Sequence, residues 1–242
     1  KLEALAPDIE AFAKAWKPRY NIAPSQHAPL LRAKERGLHL SLARWGFQLP
    51  MHSKGGSTSS PRSAHRRSLI NARAESASEK RSFRDALKHR RCLIPMNGFF
   101  EWRRHRTTKE PFYVSHPRGA PLLAAGLYMP ATPSPSSKEA PATEAPLDRF
   151  VLITTAASEA FSSVHHRMPL LLRDEELEDW LKDPRFAHGR CKGTHRQAGA
   201  HPSILEELQW HPVSTAVNRA SVDEPALIDA VPPYQAPQLG LW

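Results

Sequence analysis

The chain has 242 residues, 40% hydrophobic and 24% charged, a balance that fits a folded globular protein and excludes a disordered or fibrous one. No apolar run approaches the roughly 20 residues needed to span a bilayer, and two cysteines, Cys92 and Cys191, are too few for a disulfide framework, so a soluble cytoplasmic protein with no membrane partner is expected. Lys and Arg number 34 against 24 Asp and Glu, and the resulting formal charge of +10 favours a polyanionic partner, because each phosphate neutralised releases condensed counterions.

Asp8 is placed to cap a short helix through Trp16, with Ile9, Phe12 and Trp16 on one face. The segment Arg19 to Gln26 reads as extended chain, since Pro24 pushes its predecessor away from helix. Leu38, Leu40 and Leu42 alternate with smaller or polar residues, which predicts a half-buried strand leading into Arg44-Trp45-Gly46. Residues 51–67 turn to Ser, Gly, Pro and basic residues and read as a mobile loop. A helix is expected to begin near Ser76 or Ser78, with Phe83, Ala86 and Leu87 as its apolar stripe. Lys80, Arg81, Arg84, Lys88, Arg90 and Arg91 then make a basic surface that either meets phosphate or is simply solvated.

The stretch Cys92 to Trp102 carries the strongest local signal: an apolar run, the turn pair Asn97-Gly98, then Phe99-Phe100-Glu101-Trp102, which reads as a hairpin. Strand periodicity sets Phe99 and Glu101 on one face and Phe100 and Trp102 on the other. A buried Glu101 would have a raised pKa and be a fit proton carrier; an edge-strand Glu101 paired with Arg103 or Arg104 would be inert. Further strands are expected over residues 111–115, 121–128 and 150–155, and a last one over residues 212–217. Residues 131–148 and 190–203 read as loops, and Asp174 as the cap of a helix carrying Leu177, Trp180 and Leu181.

Three polar clusters interrupt apolar sequence: Asn71-Ala72-Arg73-Ala74-Glu75, Thr154-Thr155, and His165-His166-Arg167-Met168-Pro169. Arg73 and Arg167 offer planar donor forks that suit phosphate or a carboxylate equally. Adjacent histidines lack the one-face helical spacing that zinc sites use, and no Walker loop or Ser-His-Asp order is present, so no metal or cofactor is expected.

Taken in order, Tyr20-Asn21-Ile22-Ala23-Pro24, Arg44-Trp45-Gly46, Ile70 to Glu75, Arg91 to Pro95 with Gly98-Phe99-Phe100-Glu101-Trp102, Ala125-Gly126-Leu127-Tyr128, Ile153-Thr154-Thr155-Ala156 and His165 to Pro169 resemble the SRAP family, the SOS-response-associated peptidase domains. The resemblance runs from Arg19 to about Asn218. It implies a DNA-damage sensor that binds single-stranded DNA and traps abasic sites, the α-amine of an N-terminal cysteine condensing with the opened sugar and its thiol closing a thiazolidine. It assigns Asn71 to orient cysteine and sugar, Glu101 to shuttle protons, His165 to assist sugar opening and crosslink reversal, and Thr154 to support the reacting centre. Arg73 and Arg167 hold flanking phosphates, while Asn21, Pro24 and Trp45 shape the strand-binding surface. The sequence opens Lys1-Leu2-Glu3, where the family has Met-Cys-Gly-Arg, and neither Cys92 nor Cys191 supplies an N-terminal amine, so the nucleophile is expected ahead of Lys1. His166 stands where the family more often has an acidic or polar residue.

The expected fold is α+β, one domain over residues 1–242 with a twisted antiparallel barrel-like core and peripheral helices, acting as a monomer. The alternative function is a non-catalytic single-strand binding module without the nucleophile, and the native N-terminal sequence discriminates the two.

Overall fold

A computed structural model describes residue 12 and residues 14–35, 37–49, 67–131, 147–194 and 207–233. Most of the helix expected from Asp8, the basic loop over 51–67 and most of the loop over 131–148 lie outside the described residues; where Phe12 and Trp16 are described, their rings stack 5.8 Å apart.

The centre of the α+β fold is a sheet curled until it meets itself. Strand β1 (His27–Lys34) pairs antiparallel with β2 (Gly37–Trp45) along its whole length. Going the other way, β1 meets β6 (Arg91–Met96), which pairs with β9 (Leu122–Met129), and β9 pairs with β10 (Arg149–Ala156). Strand β10 returns to β2 through a short parallel contact at Arg149 and Phe150, so the ring of strands closes, as a barrel-like core requires. Edges of β10 and β9 also carry β5 (Asn71–Arg73), β11 (Arg167–Pro169) and β12 (Leu171–Leu172). Strands β3 (Phe47–Leu49) and β4 (Arg67–Leu69) form a separate pair.

Period-2 alternation fills both faces of this sheet. Leu30, Ala43, Cys92, Ile94, Leu122, Ala124, Phe150 and Leu152 pack together in one cluster, while their chain neighbours Leu31, Leu93, Leu123, Ala125, Val151 and Ile153 pack in another beneath the helices. At about 1.5–3 kcal/mol for each fully buried aliphatic or Phe side chain, these two faces dominate the stability. Gly126 is required where β9 crosses β6 and β10, because a Cβ there would lie 2.2 Å from Ile94 Cδ1 and 3.1 Å from the Val151 carbonyl. Cys92 is fully buried and burial pushes its thiol pKa well up, so it is a packing residue.

The expected hairpin at Asn97-Gly98 does not form. Strand β6 stays in the barrel, while β7 (Gly98–Arg104) leaves it and pairs with β8 (Lys109–Ser115) and, through β8, with β13 (Gln209–Pro212) in a second sheet. A single residue, Asn97, separates the strands, too few for a two-residue hairpin turn, so the chain turns a corner between sheets instead. Gly98 makes that corner tight, since a Cβ would sit 2.4 Å from the Val114 carbonyl oxygen.

Helices α1 (Ala74–Ala77), α2 (Arg84–His89), α3 (Leu177–Lys182) and α4 (Pro184–Lys192) cover the outer face. The single helix expected from Ser76 or Ser78 is two short ones, broken at residues 78–83, although Phe83, Ala86 and Leu87 are buried as the stripe requires. Arg91 leaves the basic surface altogether: it is 6% exposed, and its guanidinium donates to the carbonyls of Leu87, Lys88, Trp180 and Leu181 at the ends of α2 and α3. Residues 190–192 belong to α4 and not to a loop. Asp183 caps its N-terminus by accepting from the Arg185 amide, Pro184 opens it and Gly193, at φ 69°, closes it. The strand expected over residues 212–217 ends at Pro212, and Ser214 caps a 3-10 turn over Thr215–Asn218.

Candidate functional site

The corner after β6 carries β7 out of the first sheet and into the second, and the alternation along β7 then decides which way Glu101 faces. Phe99 shares the Glu101 face and packs edge-on against Phe161, whose ring centroid is 6.2 Å away. Trp210 meets Phe161 from another side at 5.4 Å. Phe161 opens a 3-10 turn (Phe161–Ser163), and the His165 amide donates back to the Phe161 carbonyl, so this aromatic anchor fixes where the imidazole starts. Phe100 and Trp102, on the opposite face of β7, pack with Val213, Val217 and Leu227.

His165 Nδ1 lies 3.4 Å from Glu101 Oε2 and 2.9 Å from the Arg167 carbonyl oxygen. The Arg167 amide also reaches Nδ1, at 3.3 Å, so the backbone of Arg167 meets this ring nitrogen with both its donor and its acceptor and holds the imidazole in place. Burial raises the Glu101 carboxyl above its usual pKa, against the opposing pull of the His165 charge and the Trp102 amide. Among the described residues no guanidinium hydrogen-bonds this carboxylate; Arg103 turns to Glu110 instead, at 2.7 Å, which removes the Arg103 pairing considered for Glu101. A half-buried carboxyl with a raised pKa beside an imidazole can give and take protons more readily than an ordinary carboxylate.

Two residues further on, Arg167 builds the rim. Its guanidinium forks onto Glu75 at 2.7 and 3.1 Å and donates to the carbonyl and hydroxyl oxygens of Thr154 at 2.5 and 3.3 Å. Its remaining Nε–H is buried and meets no acceptor among the described residues. The Arg167 hydrogen bond, aided by the charges of Arg167 and Arg73, holds the Glu75 carboxyl below its usual pKa. Register explains the convergence: β10 carries Thr154 opposite Arg73 of β5 and opposite Pro169 of β11, with Ala156 opposite Arg167.

Glu101, His165, Thr154, Arg167 and Arg73 therefore meet around Glu75 and the His165 to Arg167 segment. Asn71 is exposed two residues before Arg73, on the same side of β5 and opposite Leu152, and no hydrogen bond among the described residues joins it to Glu101 or His165. Trp45 stacks on Phe150 at 6.1 Å and donates its indole N–H to the Ile70 carbonyl, bracing the start of β5. Pro24 is exposed in a turn whose next residue, Ser25, has φ 74°. Asn21 is 6% exposed, and its amide hydrogens are spent on the carbonyls of Val217, Arg219 and Val222, so it clamps the two ends of the described chain together and has no donor to spare. Sequence reasoning missed the partners in this clamp, Asp223 and Gln26. Asp223 accepts from the amides of Tyr20 and Asn21 and from Arg19. It also missed Asn218, which accepts from the Trp102 indole at 2.7 Å. An isolated Asp or Asn in a loop carries no periodic signal, so nothing local marks these contacts. No group of three or more His, Cys, Asp or Glu among the described residues is placed to hold a metal ion.

A family model described as SOS response associated peptidase (SRAP) matches residues 2–220. The chain belongs to the SRAP family. Among its relatives, the abasic site processing protein YedK of Escherichia coli is 30% identical over 213 residues, 88% of this chain and 85% of that protein. The abasic site processing protein YoqW of Bacillus subtilis is 31% identical over 221 residues, 89% of this chain and 87% of that protein. The abasic site processing protein HMCES of Gallus gallus is 29% identical, over 87% of this chain and 65% of that protein. The same fold is visible in a crystal structure of a Bacteroides thetaiotaomicron protein, which superposes with a TM-score of 0.66 at 21% identity and covers 92% of this chain and 90% of that one.

Proposed function

We propose that this SRAP protein recognises abasic sites in single-stranded DNA and traps them covalently through an N-terminal cysteine, exposed by removal of the initiator Met or by autoproteolysis. The observation that carries the reading is the contact between Glu101 and His165, a proton-poised pair beside a rim of guanidinium donors. Condensation of an amine with an aldehyde needs a neutral amine to attack and an acid to expel water from the carbinolamine. Glu101, protonated more readily than an ordinary carboxylate, takes the amine's proton and returns one to the departing hydroxyl. His165 assists the opening of the sugar. The cysteine thiol then adds to the imine carbon, its proton passing to the imine nitrogen, and the five-membered thiazolidine closes with no atoms lost beyond the one water.

Asn71, exposed beside Arg73, orients the cysteine and the sugar. Arg73 and Arg167 take the flanking phosphates, and Thr154 holds the Arg167 guanidinium in place from behind. Contacts of this kind fix a strand by its backbone without reading bases, which suits a sensor of a missing base. Abasic single-stranded DNA incubated with protein bearing its native N-terminus should give a species that survives denaturing electrophoresis. Binding with no covalent species would leave the protein a single-strand binding module, and no binding would remove both readings.

A further inference from the structure

Of the basic residues clustered between Lys80 and Arg91, two are consumed by the fold: Arg91 caps helix ends from inside the core, and Arg90 pairs with Asp85 at 2.5 Å. Arg84 and Lys88 are different. They stand one turn apart on α2, both exposed, and neither has an ion-pair partner among the described residues. They face α4, where His188 and Lys192 are likewise one turn apart, across an open groove of about 420 Å³. Leu87 lines the groove, and Glu79 is its one acid, already engaged by Lys192 at 2.5 Å. His188 is the one aromatic ring among the lining residues, so the groove offers charge with little surface for stacking.

Lys192 also ties the groove to the site. Its ammonium donates to the Glu75 carbonyl at 2.9 Å, and the Glu75 carboxylate holds the Arg167 fork. The cationic residues thus run from the rim of the site, past Glu75, into the groove between α2 and α4.

We propose that this groove is a second phosphate track, in which Arg84, Lys88 and His188 hold the backbone of the DNA strand beyond the nucleotides that Arg73 and Arg167 contact. The inference rests on the proposed DNA-binding function and adds to it a length requirement: a strand must extend past the site to reach the groove. A row of two unpaired cations, Arg84 and Lys88, facing the exposed His188 and with little aromatic surface, fits a polyphosphate backbone and offers little to bases. Since each phosphate neutralised on a single strand contributes a slope of about 0.7 in log K against log salt, the track also has a defined electrostatic signature.

The test compares undamaged oligonucleotides of 6 and 30 nucleotides, binding measured by fluorescence anisotropy across a salt series, for the wild-type chain and for Arg84→Glu/Lys88→Glu. The double variant is expected to lose about tenfold in affinity for the long strand, with a salt slope shallower by about 1.4, and to bind the short one as the wild type does. His188→Glu, on the opposite wall, should repeat the pattern more weakly. An unchanged long-strand affinity and slope would overturn the track, as would an equal loss for the short strand, which places the effect at the site itself. The readout needs no crosslink, so absence of a covalent species with abasic DNA would sink the trapping reaction and leave this comparison standing.

Discussion

Two carboxylates sit on either side of the segment His165 to Arg167, and the chain treats them in opposite ways. Glu101 faces an imidazole and its pKa is raised by burial; Glu75 faces a guanidinium and its pKa is lowered by the bidentate hydrogen bond. Partner chemistry separates them. Arginine stays charged at any working pH, so it fixes the charge of Glu75 and makes that residue half of a strut. Histidine can surrender its own proton, so the charge on Glu101 is free to move. A buried carboxylate is not by itself a proton carrier. Glu110, only 6% exposed and therefore deeper than Glu101, is gripped by Arg103 at 2.7 Å and by His105 at 3.1 Å.

If that difference is real, the largest effect belongs to Glu101→Gln. Crosslinking rate with abasic single-stranded DNA should fall by about 10²–10⁴, the usual worth of a positioned acid-base group, while affinity for undamaged DNA stays within twofold. A rate unchanged from wild type would move the proton chemistry elsewhere. Stability separates a chemical role from a structural one. Below pH 4.5 both folded and unfolded chains hold the Glu101 proton; above it the unfolded chain loses the proton first, so stability falls as pH rises towards the raised folded value. Glu101→Gln should therefore melt above wild type at pH 8 and level with it at pH 4, a divergence with rising pH that thermal melts would reveal. Arg167→Ala acts on the other side: DNA affinity should drop by about tenfold, one charge-assisted contact's worth, with the crosslinking rate at saturating DNA much less affected.

How far the sequence discloses this arrangement depends on the range of the interaction. The apolar run ending at Ile94 announces a buried strand, and alternation after Gly98 correctly separates Phe99 and Glu101 from Phe100 and Trp102, because both are properties of neighbouring residues. The hairpin reading of Asn97-Gly98 fails because pairing is settled at a distance: β6 finds β9 and β1, and β7 waits for β8 beyond residues 105–108. Helix α4 was readable in Asp183-Pro184 and Gly193, signals outweighed by a basic composition that resembled a loop. The site shows the same divide. Residue types alone mark Glu101, His165, Arg73 and Arg167 as chemically capable, but whether Arg167 pairs with Glu75 or meets only phosphate is written in the register of β5, β10 and β11.

That last pairing also sets the smallest effect expected. Glu75 competes with phosphate for the same two guanidinium nitrogens of Arg167, so Glu75→Gln should tighten undamaged single-stranded DNA by a few-fold and steepen the salt dependence slightly, as a freed cation meets the backbone. Its pKa is depressed, so the stability it contributes is present above pH 4.5 and is lost as pH falls through the folded value. The Glu75 side chain is 53% exposed, however, and solvent screening keeps that contribution within about 1 kcal/mol. Tighter binding with an almost unchanged melting temperature would show Glu75 to be a gate on Arg167. A lower affinity would mean that the carboxylate instead holds the guanidinium in the pose that DNA needs, and the strut would then be part of the binding surface.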